Sequence, residues 1–270
     1  MNWKPVARKD IQDAVRSRSL LLLTMGFVVL FVVLALLAFR TGDREFGDIL
    51  ATAAGVFDIL LPVVAFGVGY KAILGERQAG TLVLALALPH SRRDLVVGKF
   101  VGRALVLSVP VLIGLVVAGA LALAAGGAVS GLGDYLAFGV VTLLYGLAFL
   151  GVALFLSIGT GSSRRATLGA IGLYIALVLA WGVLVDALVA ILFRLQGSGT
   201  KPDWAVFLQF LSPANLYQFL LDGAEDVQSD IVGMVDPPWF LTWWVAVVLL
   251  LAWMVVPVAI GTWRFERTEL

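Results

Sequence analysis

Two carboxylates stand where charge is costly. Asp58 interrupts the otherwise uncharged run 49–70, and Asp186 closes the run that begins at Ala166. An ionisable group in the centre of a membrane-length apolar segment costs roughly 2.5–3.5 kcal/mol or more, so such residues mark polar pathways by default. Asp58 and Asp186 are therefore candidates for a polar path, against the alternative of carboxylates satisfied by hydroxyls or backbone within a helix bundle. Other chemistry is sparse. The chain has no Cys and a single His90, which excludes disulfides, thiolate sites and a histidine cluster. Neither a His-Glu-x-x-His nor a Gly-x-Ser-x-Gly pattern occurs. The pair Gly98-Lys99 is followed by Phe100 and lacks a Gly five residues before Gly98, so it is not a phosphate-cradling P-loop. Ionic chemistry concentrates instead between 71 and 103, where Glu76, Arg77, Arg92, Arg93, Lys99 and Arg103 surround the short apolar run Thr81–Leu88.

The elements around these residues follow from composition. Hydrophobic residues are 61% of the chain and charged residues 14%, against about 45–50% and 25% in soluble domains. The excess is segregated into six runs, near 20–39, 49–71, 102–127, 135–160, 167–193 and 239–262. Each is long enough, at 1.5 Å per residue, to cross about 30 Å of hydrocarbon as a helix with its backbone bonded internally. The expected fold is all-α integral membrane, with six transmembrane helices. Placing the N-terminus in the cytoplasm puts Lys4, Arg8, Lys9, Arg16, Arg18, Lys71, Arg77, Arg92, Arg93, Lys99, Arg103, Arg164, Arg165, Arg264 and Arg267 inside, while Asp203, Asp222, Glu225, Asp226, Asp230 and Asp236 fall outside. The positive-inside rule selects this orientation, with both termini cytoplasmic in the cell membrane. A net charge of +1 gives no footprint for a nucleic-acid partner.

Ahead of the first span, Trp3, Ala7, Ile11, Ala14, Val15 and Arg18 recur at three-to-four spacing, opposed by Lys4, Arg8, Lys9, Gln12, Asp13 and Arg16. This predicts an amphipathic interfacial helix, an elbow into the first span or an anchor on anionic headgroups. The first span itself reads as retained, not as a cleaved leader. Thr81–Leu88 is too short to cross; it predicts a short helix at the inner surface, ended by Pro89. Between 194 and 236, Ser212-Pro213 reads as a helix start and Gly223 as a stop, predicting a helical cap on the outer ends of the spans. Gly172, Ala176 and Ala180 recur every four residues in the fifth span, a stripe for close packing within one protomer or for a dimer seam.

The order and spacing of Gly75-Glu76-Arg77-Gln78-Ala79-Gly80-Thr81-Leu82, Leu88-Pro89-His90-Ser91-Arg92-Arg93 and Gly98-Lys99-Phe100 resemble the coupling region of ABC-2 type transporter permeases. The start Ala7-Arg8-Lys9-Asp10, the outer Ser212-Pro213 with Tyr217, and the closing Arg264-Phe265-Glu266-Arg267 are similar to the same family. Over Lys9–Leu30 and Leu61–Leu105 the chain is similar to the subgroup encoded with nitrous oxide reductase maturation systems. It lacks the soft ligands that Cu(I) prefers, having no Cys, one His and four Met. The resemblance implies a single transmembrane domain over 1–270 that moves a substrate by alternating access, with Thr81–Leu88 as a cytoplasmic coupling helix. Glu76, Arg77, Gly80, Thr81, Pro89, Arg92, Arg93 and Lys99 would then serve a separate cytoplasmic ABC ATPase, through charge-assisted bonds and a tight bend at Gly80. It implies no cofactor in this chain, with ATP and Mg held by that partner, and a second permease copy. The outer helices would form an external gate. The competing reading from the residues alone is an ion- or proton-coupled secondary carrier using Asp58 and Asp186.

Overall fold

The structure, a computed structural model, describes residues 3–41, 46–80, 91–125, 131–192, 202–221 and 238–267, and every regular element among them is helical. Five helices are long and apolar enough to cross a membrane singly, and a bent pair makes a sixth crossing if its two halves count as one span. In chain order they are α1 (Lys4–Arg16), α2 (Ser19–Thr41), α3 (Phe46–Gly69), the single turn α4 (Leu74–Gln78), α5 (Arg92–Ala124) and α6 (Leu132–Gly159). Then follow α7 (Ser163–Tyr174), a π-helical turn (Ile175–Leu179), α8 (Trp181–Leu192), α9 (Asp203–Phe210), α10 (213–221) and α11 (Trp243–Arg267).

The third span begins ten residues earlier than its apolar run. Ser91 Oγ accepts from the Asp94 amide at 3.1 Å while Asp94 accepts from the Ser91 amide at 3.2 Å. This reciprocal capping box starts α5 at Arg92. Arg92, Arg93 and Lys99 therefore ride on the same rigid rod as the span.

α6 is the middle of the bundle: 61% of its apolar window is buried, against 22% for α2 and for α11. It packs along α3 and α11. Small residues make this possible, since a Cβ at Gly151 would run into the Met254 carbonyl of α11. On the other side α2 lies on α5, with the Phe31 ring seated over Gly114. Phe57 joins these layers, lying tilted against Phe31 (centroids 4.8 Å apart) and meeting Phe138 edge-on at 6.1 Å.

The elbow is shorter than its periodicity predicts. α1 stops at Arg16, Arg18 turns the chain at φ 59, and α2 starts at Ser19. Arg18 and Val15 are exposed, so neither belongs to the buried stripe; Asp10 does, between Ala7 and Ala14.

The continuous fifth span expected over 167–193 is also corrected. α7 runs into the π turn, where the Ala180 amide bonds back five residues to the Ile175 carbonyl at 2.7 Å, and the axis bends by 73° into α8. The Ser212 hydroxyl donates to the Leu177 carbonyl at 2.9 Å, so the break is stitched from the α9–α10 hairpin.

Candidate functional site

One end of the bundle collects the start of the first described helix and the end of the last. α1, α4, the start of α5, the turn at 160–162 and the end of α11 meet there; this is the terminal face. The α9–α10 hairpin enters from the far end and reaches the middle of the bundle, at Asp58 of α3, Tyr145 of α6 and Trp253 of α11.

At the terminal face α4 is fastened to α6 through a buried hydroxyl: Ser157 Oγ accepts from the Ile73 and Leu74 amides at 3.0 and 3.1 Å. These are the unpaired donors expected at a helix start. Four charges then bind three elements. Lys99 Nζ lies 2.6 Å from Glu76 Oε1 and 2.8 Å from Asp10 Oδ1, and Arg103 Nε lies 2.9 Å from Asp10 Oδ2. The Lys99 and Asp10 side chains are 7% and 2% exposed. Two acids and two bases form an internally neutral network, the arrangement under which buried charge is tolerated. α1 can reach it because α5 presents glycine: a Cβ at Gly102 would lie 2.8 Å from Asp10 Cβ, and one at Gly98 would lie 2.6 Å from Val6 Cβ.

A second junction forms around buried Phe265 of α11. Arg92 donates to the Phe265 carbonyl and its guanidinium sits 5.1 Å from the ring centroid; Arg77 approaches the same ring at 5.7 Å and donates to the Thr160 carbonyl at 3.5 Å. Arg93 forms a two-pronged pair with Glu266, at 2.5 and 3.0 Å, on the open surface. Gly80, at φ 70, turns the chain towards 81–90 in a conformation that disfavours any side chain.

Of the coupling residues expected from sequence, the structure brings Glu76, Arg77, Arg92, Arg93 and Lys99 together at this face. Their directions differ from expectation: Glu76, Arg77, Arg92 and Lys99 turn inward onto partners in this chain, and Arg93, the exposed one of the five, is paired with Glu266. Thr81 and Pro89 lie outside the described residues. Asp10, Arg103, Ser157, Phe265 and Glu266 were not singled out as site residues. Asp10 carried a signal, falling in step with Ala7 and Ala14 on the apolar stripe.

Asp58 and Asp186 lie away from the terminal face, against the α9–α10 hairpin. Asp58 sits mid-helix in α3, twelve residues from Phe46 and eleven from Gly69, deeper than its place in the run 49–71 suggests. Tyr145 Oη donates to Asp58 Oδ1 at 3.0 Å and lies 2.9 Å from the Asp58 carbonyl, while Gln218 Nε2 of α10 donates to Asp58 Oδ2 at 2.8 Å. Tyr145 stacks flat on Tyr217 of α10, with centroids 4.3 Å apart, and the Tyr217 hydroxyl lies 3.1 Å from Thr142 Oγ1. Asp186, exposed on α8, accepts from Gln209 Nε2 of α9 at 3.0 Å. The two carboxylates are thus each held by an amide of the same hairpin, Gln218 and Gln209. Trp253 of α11 and Trp181 of α8 add ring N–H bonds to the Leu211 and Leu208 carbonyls, at 2.9 and 2.7 Å.

Of the stripe expected at Gly172, Ala176 and Ala180, Gly172 is on α7, Ala176 in the π turn and Ala180 at the break, so the stripe does not continue along one straight helix.

A bundle of membrane-length helices with an elbow and charged segments bolted to its terminal face defines a polytopic membrane protein. The chain belongs to the ABC-2 family of transporter proteins, whose profile it matches over residues 4–270. It is 34% identical to the probable ABC transporter permease protein NosY of Stutzerimonas stutzeri, covering 93% of this chain and 96% of that one. It is 33% identical to the protein of the same name from Pseudomonas aeruginosa, covering 92% and 94%.

Proposed function

We propose that this chain is the membrane-spanning subunit of an ATP-driven transporter, gripped at its terminal face by a separate cytoplasmic ABC ATPase that holds the ATP and Mg, and that it alternates access to an unidentified substrate. The observation that carries the reading is the attachment of α4. Through Ser157, Lys99 and Arg77 the turn leading into 81–90 is joined to α6, α5, α1 and α11, so a displacement of that segment is passed to the spans. The resulting division of labour differs from a row of partner-binding charges. Segment 81–90 and Arg93 would meet the ATPase, whereas Glu76, Arg77, Arg92 and Lys99 would keep the contact stiff. Family membership favours this reading over a secondary carrier.

At the far end the α9–α10 hairpin would act as the outer gate, tied down by Gln218 to Asp58 and by Gln209 to Asp186. Opening would exchange these bonds for water or cargo, which gives both carboxylates a place on the path. A second copy of the chain would cover α8, where Val183, Leu184, Ile191 and Leu192 are exposed beside Asp186, a group ill suited to face lipid.

The test is co-expression with a tagged ABC ATPase from the same organism. Wild type should co-purify with it and show ATP-dependent transport in proteoliposomes; Arg93→Glu should weaken co-purification, and Lys99→Met should leave the complex but uncouple hydrolysis from transport. Transport by the purified chain without any ATPase would refute the reading.

A further inference from the structure

The charges of α1 divide sharply by side. Asp10, on the buried side, is consumed by Lys99 and Arg103. On the open side Lys4, Arg8, Lys9, Arg16 and, just beyond the helix, Arg18 are all exposed. Among the described residues no carboxylate lies within ion-pair distance of any of the five. The one acid on that side, Asp13, stands between Lys9 and Arg16 without closing on either.

The cationic face is also held in place. The close approaches at Gly98 and Gly102, and the buried Asp10 pairs, fix α1 against α5, so its apolar stripe is used on protein and its cations must look away from the bundle. Only Ser17 and Arg18 separate α1 from α2, whose first turns expose Leu21, Leu22 and Met25. Three residues span at most about 11 Å of extended chain, close to one Debye length at physiological salt. Arg16 and Arg18 therefore lie within that reach of the start of α2, whose apolar run is long enough to cross a membrane, and Val15 beside them is exposed.

We infer that the open face of α1 is a binding surface for the phosphodiester headgroups of an anionic lipid leaflet. Lys and Arg so placed gain roughly 1 kcal/mol each near such a surface, about a five-fold preference per charge. The surface is independent of the ATPase-facing segment.

The full chain, reconstituted in phosphatidylcholine vesicles, is titrated with spin-labelled phosphatidylglycerol and, separately, spin-labelled phosphatidylcholine, and the ratio of their association constants is read from the motionally restricted signal. Wild type should prefer phosphatidylglycerol, less so at high salt. Arg16→Gln with Arg18→Gln should lower the preference by about two-fold or more, the per-site gain being diluted over the lipid shell. Arg164→Gln with Arg165→Gln removes the same charge from the exposed start of α7 and should leave the ratio unchanged. If the first pair fails to fold, Arg8→Gln with Lys9→Gln replaces it, with the same expectation. No preference in wild type, no loss from the α1 pair, or equal loss from both regions would overturn the assignment, the last by showing a diffuse attraction to the whole basic face.

Discussion

Lys99→Met tests the ionic joint at the terminal face. The substitution keeps most of the side-chain volume and removes the ammonium that lies 2.8 Å from Asp10 and 2.6 Å from Glu76. With the Lys99 and Asp10 side chains 7% and 2% exposed, water cannot screen the loss. Removing one partner of a buried pair typically costs about 3–5 kcal/mol. Arg103 remains 2.9 Å from Asp10 and retains part of the compensation, which lowers the expected cost to about 2–3 kcal/mol. At about 2–4 °C per kcal/mol, the thermal midpoint in detergent, followed by tryptophan fluorescence, should fall by roughly 4–12 °C. Pairing Lys99→Met with Asp10→Leu removes one charge of each sign, so the double variant should lose less than the sum of the two single ones. A midpoint within about 1 °C of wild type for Lys99→Met, or strict additivity in the cycle, would refute the claim that these charges form one buried network.

The far end and the surface give sharper contrasts. Gln218→Leu removes one of the donors to Asp58, a loss of about 1–3 kcal/mol local to the hairpin, and should raise maleimide labelling of a cysteine at Leu220 in this cysteine-free chain; unchanged labelling would show that the amide does not hold α10 down. Gly80→Ala forces a side chain into the left-handed region at roughly 1–2 kcal/mol, and should weaken ATPase co-purification with little change in overall unfolding, because nothing lies within 4 Å of the new Cβ. Arg93→Gln, on the open surface, should leave the thermal midpoint alone. Ile191→Cys, on the exposed side of α8, should cross-link two copies under oxidation, whereas Val185→Cys, buried on the same helix, should not.

What the sequence disclosed and what it withheld follow the range of the forces involved. Helix existence was legible because the need to bury backbone in hydrocarbon acts through unbroken apolar runs, which any reader of 20–39 or 135–160 can see. The elbow was legible too, since its 3.6-residue period is local, yet Arg18 was assigned to it wrongly because nothing in the pattern reports a left-handed turn at a non-glycine. Charge alone did not distinguish Arg93, which faces outward, from Lys99, which faces Asp10 across 89 residues of chain. The partners of Asp58 were illegible for the same reason: Tyr145 and Gln218 lie 87 and 160 residues away. The break at Ala180 has no proline to mark it, and the Ser212 hydroxyl that donates to the Leu177 carbonyl beside it comes from 35 residues along the chain.

Under the proposed function, drive at the terminal face and release at the hairpin need one element that touches both, and α6 does so. Ser157 near its end receives the amides of α4, and Tyr145, twelve residues earlier, donates to Asp58 and stacks on Tyr217. At 1.5 Å per residue these contacts are about 18 Å apart along one unbroken helix. The segment between them is closely enclosed, with Ala148, Phe149, Leu150, Ala153 and Leu154 all fully buried. A close-packed stretch of that kind shifts or rotates as a unit and cannot absorb displacement by bending. Movement imposed on α4 would therefore reach the Tyr145–Tyr217 stack with little loss, and the two Gln–Asp bonds of the hairpin would be its natural point of release. Ser157→Ala separates this route from simple loosening of the terminal face. It strips the acceptor from two buried amides while leaving the Glu76–Lys99–Asp10 network in place, so it should uncouple the ATPase from labelling at Leu220 even where the complex still forms; full coupling in that variant would mean that force travels through α5 instead.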